Sequence, residues 1–286
     1  MNLVKFINFN VLGDERGKLI SLEGNKNIPF EIKRVYYIFG TKPDVARGFH
    51  AHKELKQVLF AVKGNCRIVL DDGSKKEDII LDEPQKGIFI DPLIWHEMHD
   101  FSEDCVLMVL ANEHYNELDY VRKYSEFVEN ISGLKFVKYD NLYLEQSWQW
   151  LNDPIIKAMT LTPNFTKKDQ LDFMNSLGKK IDYLVYGVEL KGRPIGVAGI
   201  KNISSKNKTG EYFGYIGDKN MWGKGLGSKI IKLIMELAKE KEINKLTLKV
   251  STNNERAINL YKKEKFKTTK ISNELLEMEV HLKDGF

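Results

Sequence analysis

The sequence predicts two domains in series, an all-β barrel or sandwich followed by an α/β unit, and three observations predict it. From Val4 to about Leu110 short β-rich runs alternate with turn residues and carry no strong helical period. After Lys135 helical patterns and strands alternate. The charge balance also changes sign: residues 1–135 hold 18 Lys and Arg against 22 Asp and Glu, and residues 136–286 hold 26 against 18. A chain of 286 residues is long enough to build both cores.

Composition narrows the class. With 42% hydrophobic and 29% charged residues, and no apolar run near the roughly 18 residues of a membrane helix, a soluble cytoplasmic protein without a signal segment is expected. The lysines of the second half have acidic neighbours, which reads as solvated helix surface and argues against a nucleic-acid partner. The same field favours small anionic ligands. Cys66 and Cys105 are too few for a disulfide framework or a zinc site and read as buried thiols.

In the first half the clearest strands cover 33–39, 57–62, 66–70, 78–81, 87–90 and 105–110. Asp71-Asp72-Gly73-Ser74 and Lys63-Gly64-Asn65 carry hairpin-turn composition. A helical pattern starts only after Tyr115 and is expected to run to Glu129. Five of the six histidines (His50, His52, His96, His99 and His114) fall within 65 consecutive residues. On a strand His50 and His52 share one face, and two neighbouring imidazoles on an inward face can move protons near neutral pH.

His50-x-His52, four residues, Gln57, six residues and Gly64 follow the first motif of the cupin barrels; the block from Gly87 through Pro92 to His96 resembles their second. Metal-binding cupins place Glu where Gln57 stands. A neutral amide is a poor ligand, so no metal is expected. Ile32–Ile38, Arg47–Lys53, Asp91–His99 and Leu118–Tyr124 together resemble the sugar 3,4-ketoisomerases, over about Phe6 to Phe127. That resemblance implies a cupin-type jelly roll that acts on dTDP-4-keto-6-deoxyglucose without a cofactor. It implies His50 and His52 as the proton-shuttling pair, with Tyr36 and Arg47 lining the pocket. Which histidine abstracts stays open, and a one-residue slip would exchange Tyr36 for Tyr37. Arg34, Gln57, His96 and Tyr120 are further candidate pocket residues, and Arg16 with His96 matches the galacto-product branch. The resembling isomerases are dimers that exchange strands, so a homodimer is expected.

A helix-stopping Gly133 and a new strand from Lys135 put the join near 131–134, giving domains 1–132 and 133–286. The second half reads as helices over 141–151 and 166–177, strands over 183–190, 194–200 and 211–216, then Trp222-Gly223-Lys224-Gly225-Leu226-Gly227-Ser228 leading into a helix to about Lys241. A strand over 246–250, a helix over 254–264 and a strand over 275–281 close the chain. A glycine-rich turn at a helix N-terminus exposes backbone N–H groups to an anion. A dinucleotide fold is disfavoured, because the motif comes late and no acidic strand end follows.

Gly223-x-Gly225-x-Gly227, the following strand and Asn254 through Tyr261 to Phe266 resemble the GNAT acetyltransferases, over roughly Lys135 to Leu282. The resemblance implies acetyl-CoA, with its pyrophosphate on the amides of Trp222–Ser228 and its pantetheine arm beside Asn254. It implies Tyr261 as the acid for the leaving thiolate and Glu211 as the base for an acceptor amine. Paired with the isomerase, this suggests N-acetylation of a dTDP-3-amino sugar made by a separate pyridoxal-phosphate aminotransferase. A nucleotide-sugar pocket should then be closed and basic. Two readings stay open: an acetyltransferase for a protein or another amine, and a cupin that binds sugar without turnover.

Overall fold

The computed structural model describes residues 3–42, 44–160 and 162–282. The chain divides into two compact units, Met1–Ile131 and Ser132–Phe286.

The first unit contains β1 (Lys5–Asn8), β2 (Val11–Asp14), β3 (Gly17–Ile20), β4 (Arg34–Ile38), β5 (Arg47–His52) and β6 (Gln57–Lys63). These are followed by β7 (Cys66–Asp71), β8 (Lys76–Leu81), β9 (Lys86–Ile90), β10 (Trp95–His99), β11 (Val106–Ala111) and β12 (Tyr120–Val121). Two five-stranded sheets form, ordered β1-β9-β6-β11-β4 and β12-β5-β10-β7-β8. Leu59, Ile88, Leu107 and Val109 of the first meet Ile68, Leu70, Ile79 and Met98 of the second in one buried core. This is the cupin-like barrel.

β6 is buried on both faces from Gln57 to Ala61, which is why Val58–Ala61 reads as an unbroken apolar run. Val58 and Phe60 pack outward against Phe9, Ile28 and Phe30, while Leu59 and Ala61 face the core. Lys63–Asn65 does not close a hairpin: β6 and β7 belong to different sheets, and the turn carries the chain from one to the other.

The helix expected from Tyr115 begins later. Glu117–Asp119 forms a 3-10 turn, Tyr120 and Val121 form β12, and α1 covers Tyr124–Ser132. Tyr120 pairs with His52 and Val121 with Ala51. Val121 is fully buried, so strand pairing and burial override the local helical pattern. β2 and β3 form a separate two-stranded sheet, with Leu12 and Leu19 exposed.

The second unit contains β13 (Leu134–Lys138), α2 (Asn141–Asn152), α3 (Pro154–Thr160), α4 (Lys167–Ser176), β14 (Leu184–Leu190), β15 (Arg193–Ser204) and β16 (Thr209–Ile216). It continues with α5 (Leu226–Glu240), β17 (Lys245–Ser251), α6 (Glu255–Lys263), β18 (Lys267–Ile271) and β19 (Leu275–His281). The sheet order is β13-β14-β15-β16-β17-β19-β18. Thr166 caps α4 in a reciprocal box with Asp169. Lys191 and Gly192, both at positive φ, make the two-residue turn between β14 and β15.

All neighbours in this sheet are antiparallel except β16 and β17, which pair in parallel only at Thr209–Glu211 with Lys245–Thr247. Beyond that point the two strands have no paired register, and a cavity of about 960 Å³ lies beside them. α3 and β18 escaped the sequence pattern. α3 is a short helix with Pro at its first position and Asp153 capping Ile155 and Ile156. β18 is exposed at every residue, so it shows no alternation of burial.

Candidate active sites

The barrel brings together most of the residues expected in its pocket. The imidazoles of His50 and His52 lie 4.9 Å apart, His50 and His96 4.3 Å, and His52 and His96 5.9 Å between ring centroids. Tyr120 packs on both members of the pair, 5.0 Å from His50 and 4.3 Å from His52. Tyr36, rather than Tyr37, points inward, because Val109 opposite it belongs to the core. Gln57 donates its amide N–H to the Tyr36 hydroxyl at 3.0 Å. The Arg34 guanidinium covers the Tyr36 ring at 5.1 Å.

A bulge sets this geometry. His50 faces His96 and Gly48 faces Glu97, leaving Phe49 as the extra residue on β5. Gly48 has φ +88°, and a Cβ there would come within 2.8 Å of the His96 carbonyl oxygen. Only glycine meets both conditions.

Burial controls the electrostatics. Desolvation, then the neighbouring His50, lowers the His52 pKa to about 4. Desolvation also lowers His50, and it carries His96 well below the usual range. All three rings are therefore neutral at pH 7. Desolvation raises Tyr36 to about 12, so its phenol keeps its proton. The pocket has neutral imidazoles able to accept protons and a phenol able to donate one.

Three buried ring nitrogens, His50 Nδ1, His52 Nε2 and His96 Nε2, and the oxygen of Gln57 have no hydrogen-bond partner. The histidines offer nitrogen atoms within 4.8 Å of one another, a spacing at which three imidazoles could also hold a cation.

Two expected residues lie elsewhere. Arg16 is at the tip of the β2–β3 hairpin, 86% exposed and paired with Asp14, so within one chain it does not join the histidines. Arg47 is exposed on β5, opposite Met98. One residue was missed. Asp119 binds His52 Nδ1 through a carboxylate oxygen at 2.9 Å. It was hidden because its stretch reads as helix, whereas a 3-10 turn brings it to β5.

In the second unit the glycine-rich loop opens α5. Gly223 and Gly225 have φ +78° and +74°, and no side chain caps the helix at Gly225. The first-turn amides can therefore meet an anion, as acetyl-CoA pyrophosphate binding requires. Gly227 is needed for another reason: a Cβ would meet the Leu260 side chain of α6 at 2.7 Å. The Ser228 hydroxyl turns away to the buried Glu264, which leaves its backbone amide as the usable donor. Lys224 is exposed and the Leu226 side chain is buried.

Trp222 donates to the Ile216 carbonyl at 2.7 Å and lies under Arg256, a second residue the sequence reading passed over, at 5.1 Å. Asn254 caps α6 by accepting from the Ala257 N–H at 3.1 Å, so its oxygen is already engaged.

Tyr261 and Glu211 line the same cavity as the loop. Burial pushes Tyr261 up to about 12, keeping a proton available to a leaving thiolate. Glu211 is less free than a bare base, since Lys201 lies 3.2 Å from it and Asn202 donates to it at 2.9 Å. Away from the loop the wall is aromatic, with Phe165, Phe173, Tyr183, Phe213 and Tyr215. The cavity's basic lining residues are Lys201, paired with Glu211, Lys249, and Arg256 over the Trp222 ring, while Asp169 and Glu211 are acidic.

A cupin-like barrel with buried imidazoles and a GNAT fold with an uncapped glycine-rich helix start define a chain with two separate chemistries. Residues 2–132 match the FdtA family (WxcM-like, C-terminal), and residues 146–266 match the acetyltransferase (GNAT) family. Over 134 residues the chain is 54% identical to the TDP-4-oxo-6-deoxy-alpha-D-glucose-3,4-oxoisomerase of Aneurinibacillus thermoaerophilus, an alignment spanning 47% of this chain and 96% of that protein. A 3,4-ketoisomerase structure from Helicobacter canadensis is 52% identical, covering 45% of this chain and 96% of that one, with a TM-score of 0.44. QdtA, a sugar 3,4-ketoisomerase from Thermoanaerobacterium thermosaccharolyticum solved with TDP, is 44% identical, covering 45% and 94%, with a TM-score of 0.44.

The chain belongs to the FdtA-like sugar 3,4-ketoisomerases through its first unit, and it carries a GNAT acetyltransferase as its second. It is an isomerase of the dTDP-sugar pathway fused to an acyltransferase whose family implies acetyl-CoA. Among the described residues, no helix is long and apolar enough to cross a membrane.

Proposed function

We propose that residues 1–132 convert dTDP-4-keto-6-deoxyglucose into its 3-keto isomer, and that residues 133–286 acetylate the 3-amine which a separate pyridoxal-phosphate aminotransferase makes from that ketone. The final product is a dTDP-3-acetamido-3,6-dideoxyhexose of galacto configuration. The observation that carries the isomerase half is the pair of neutral imidazoles, His52 buried and His50 half-buried, beside a protonated Tyr36.

In this reading one histidine of the pair takes the C3 proton while a proton is supplied to O4, forming an enediol. Collapse of the enediol releases the O3 proton and delivers one to C4. No electrons leave the sugar, so no nicotinamide is required, and the neutral amide of Gln57, a poor ligand where metal-binding cupins carry Glu, argues against a bound cation. Arg34, Gln57, His96 and Tyr120 hold the sugar and its phosphates.

In the second half Glu211, through water, takes a proton from the acceptor amine, and Tyr261 protonates the thiolate that leaves. The aromatic wall suits the apolar face of a sugar and a stacked base. The unit at work is a homodimer formed through the barrel. A hairpin with Leu12 and Leu19 exposed is suited to exchange with a second copy, which would give Arg16 a route to a site it does not reach in its own chain.

The test is an assay of the chelated full chain with dTDP-4-keto-6-deoxyglucose in deuterated water. Deuterium at C3 or C4 together with 3-keto product is expected. Turnover that returns only on adding a divalent metal would overturn the metal-free shuttle. The product, after transamination, then serves as acceptor with acetyl-CoA; acetylation of other amines but not of this one would overturn the second half.

A further inference from the structure

Asp119 is held from several directions. One carboxylate oxygen meets His52 Nδ1 at 2.9 Å, and the other accepts the Glu54 N–H at 2.8 Å. Its carbonyl accepts the Lys53 N–H at 2.9 Å, and its own N–H donates to the Asn116 carbonyl at 3.2 Å. Asn116 caps the turn through the Leu118 N–H, and the Lys53 ammonium donates to the Leu118 carbonyl at 2.9 Å. The His52 side chain is 4% exposed and that of Asp119 14%. This is a fixed acceptor aimed at one ring nitrogen.

An ionised carboxylate only accepts, so the proton of neutral His52 must sit on Nδ1, which leaves Nε2 as a bare acceptor. That Nε2 is buried and has no partner, on a ring 4.9 Å from His50 and 4.3 Å from Tyr120. His50 stands differently: its Nδ1 is buried without a partner. The two histidines share a strand and a face, yet among the described residues only His52 has a carboxylate within hydrogen-bond distance of its ring.

We propose that Asp119 is a positioning residue of the isomerase: it locks His52 in the Nδ1–H form, aims Nε2 at the reacting carbons and oxygens, and balances the charge that the ring acquires with a proton. The proposal rests on the isomerase reading of the site and adds to it a division of labour. His52 exchanges protons at Nε2, backed by a carboxylate, while His50 acts without one. No covalent bond to the protein forms, and the proton taken at Nε2 is returned to the sugar within the same turnover. Asp119 itself touches no substrate.

Two measurements test this. The first is nitrogen NMR of the 15N-histidine-labelled full chain at pH 7, with His52 assigned by its loss in His52→Asn. It should show Nδ1 protonated and Nε2 bare; the reverse tautomer would overturn the proposal. This readout is independent of activity, so it stands or falls separately from the choice of substrate. The second is kinetics of Asp119→Asn, whose amide is close in size but can present N–H to the ring and favour the wrong tautomer. The isomerisation kcat should fall about 10²- to 10⁴-fold, as when an orienting carboxylate is neutralised in other histidine bases, with KM within about twofold. A kcat within about threefold of the parent, or a loss seen only in KM, would overturn it. If Asp119→Asn fails to fold, the tautomer measurement on the parent chain decides alone.

Discussion

The two sites of this chain use opposite materials. In the barrel the proposed chemistry rests on side chains: His50, His52, His96 and Tyr36 project from paired strands, and burial sets their protonation. In the acetyltransferase unit the proposed binding rests largely on backbone: Gly223 and Gly225 turn the chain at positive φ into an uncapped helix start, beside strands whose pairing stops at Glu211 and Thr247. A side-chain site is damaged by removing a functional group, and a backbone site by adding one. The first loss should appear in kcat, the second in cosubstrate binding.

The largest expected effect follows from that contrast. His52→Asn removes a titrating ring from the barrel and should lower isomerisation kcat about 10²- to 10⁴-fold, the usual contribution of a general acid–base group. Acetyl transfer from acetyl-CoA to a small amine should stay within about twofold. An equal fall in both activities, measured on the same preparation, would mean that the two sites are not separable as described.

A smaller loss is expected from Gly225→Val. Nothing lies within 4 Å of the Cβ it would add, so the cost comes from placing a branched residue at φ +74°. Strain of about 1–3 kcal/mol corresponds to a rise in KM for acetyl-CoA of about fivefold to 150-fold, with isomerisation unchanged. Gly225→Asn, which tolerates that conformation better, should recover most of the loss. An asparagine variant as impaired as the valine would show that the residue matters for a reason other than its dihedral angle.

What the sequence disclosed follows the same division. Strand alternation revealed β4, β6–β9 and β11, and the glycine spacing revealed the helix start, because burial of period two and positive φ both constrain neighbouring residues. The His50/His52 pair was visible for the same reason. Asp119 was not, since its partner is 67 residues away and nothing local marks a carboxylate that reaches a distant ring. The helix expected across 115–129 starts only at Tyr124, because the burial of Val121 outweighed its neighbours' propensity. Arg16 looked like a pocket residue by resemblance, but hairpin geometry carries it outward within its own chain. The occupied state of Glu211 depends on Lys201 and Asn202 across a strand pair, a contact no local pattern announces.

The last effect concerns pH, and it too separates the units. His52 has a folded pKa of about 4 against an ordinary value of 6.5. Between those values the unfolded chain binds a proton that the folded barrel refuses, so stability is full above about 6.5 and falls as the solution is acidified toward 4. Each pH unit in that window costs about 1.4 kcal/mol for this ring alone, and the lowered His50 and His96 act in the same direction. In the second unit the buried tyrosines dominate: Tyr183 and Tyr261 are raised to about 12 by burial, and Tyr212 and Tyr215 well above their usual value. Their contribution is full below about 10 and is lost as pH rises through the folded values, because the unfolded chain ionises first. Urea unfolding followed by domain-resolved probes should show the barrel weakening between pH 6.5 and 4.5, with His52→Asn flattening that slope. A barrel whose midpoint does not move across that range would mean that its histidines take up protons as readily folded as unfolded, and the buried, desolvated site described for the shuttle would have to be abandoned.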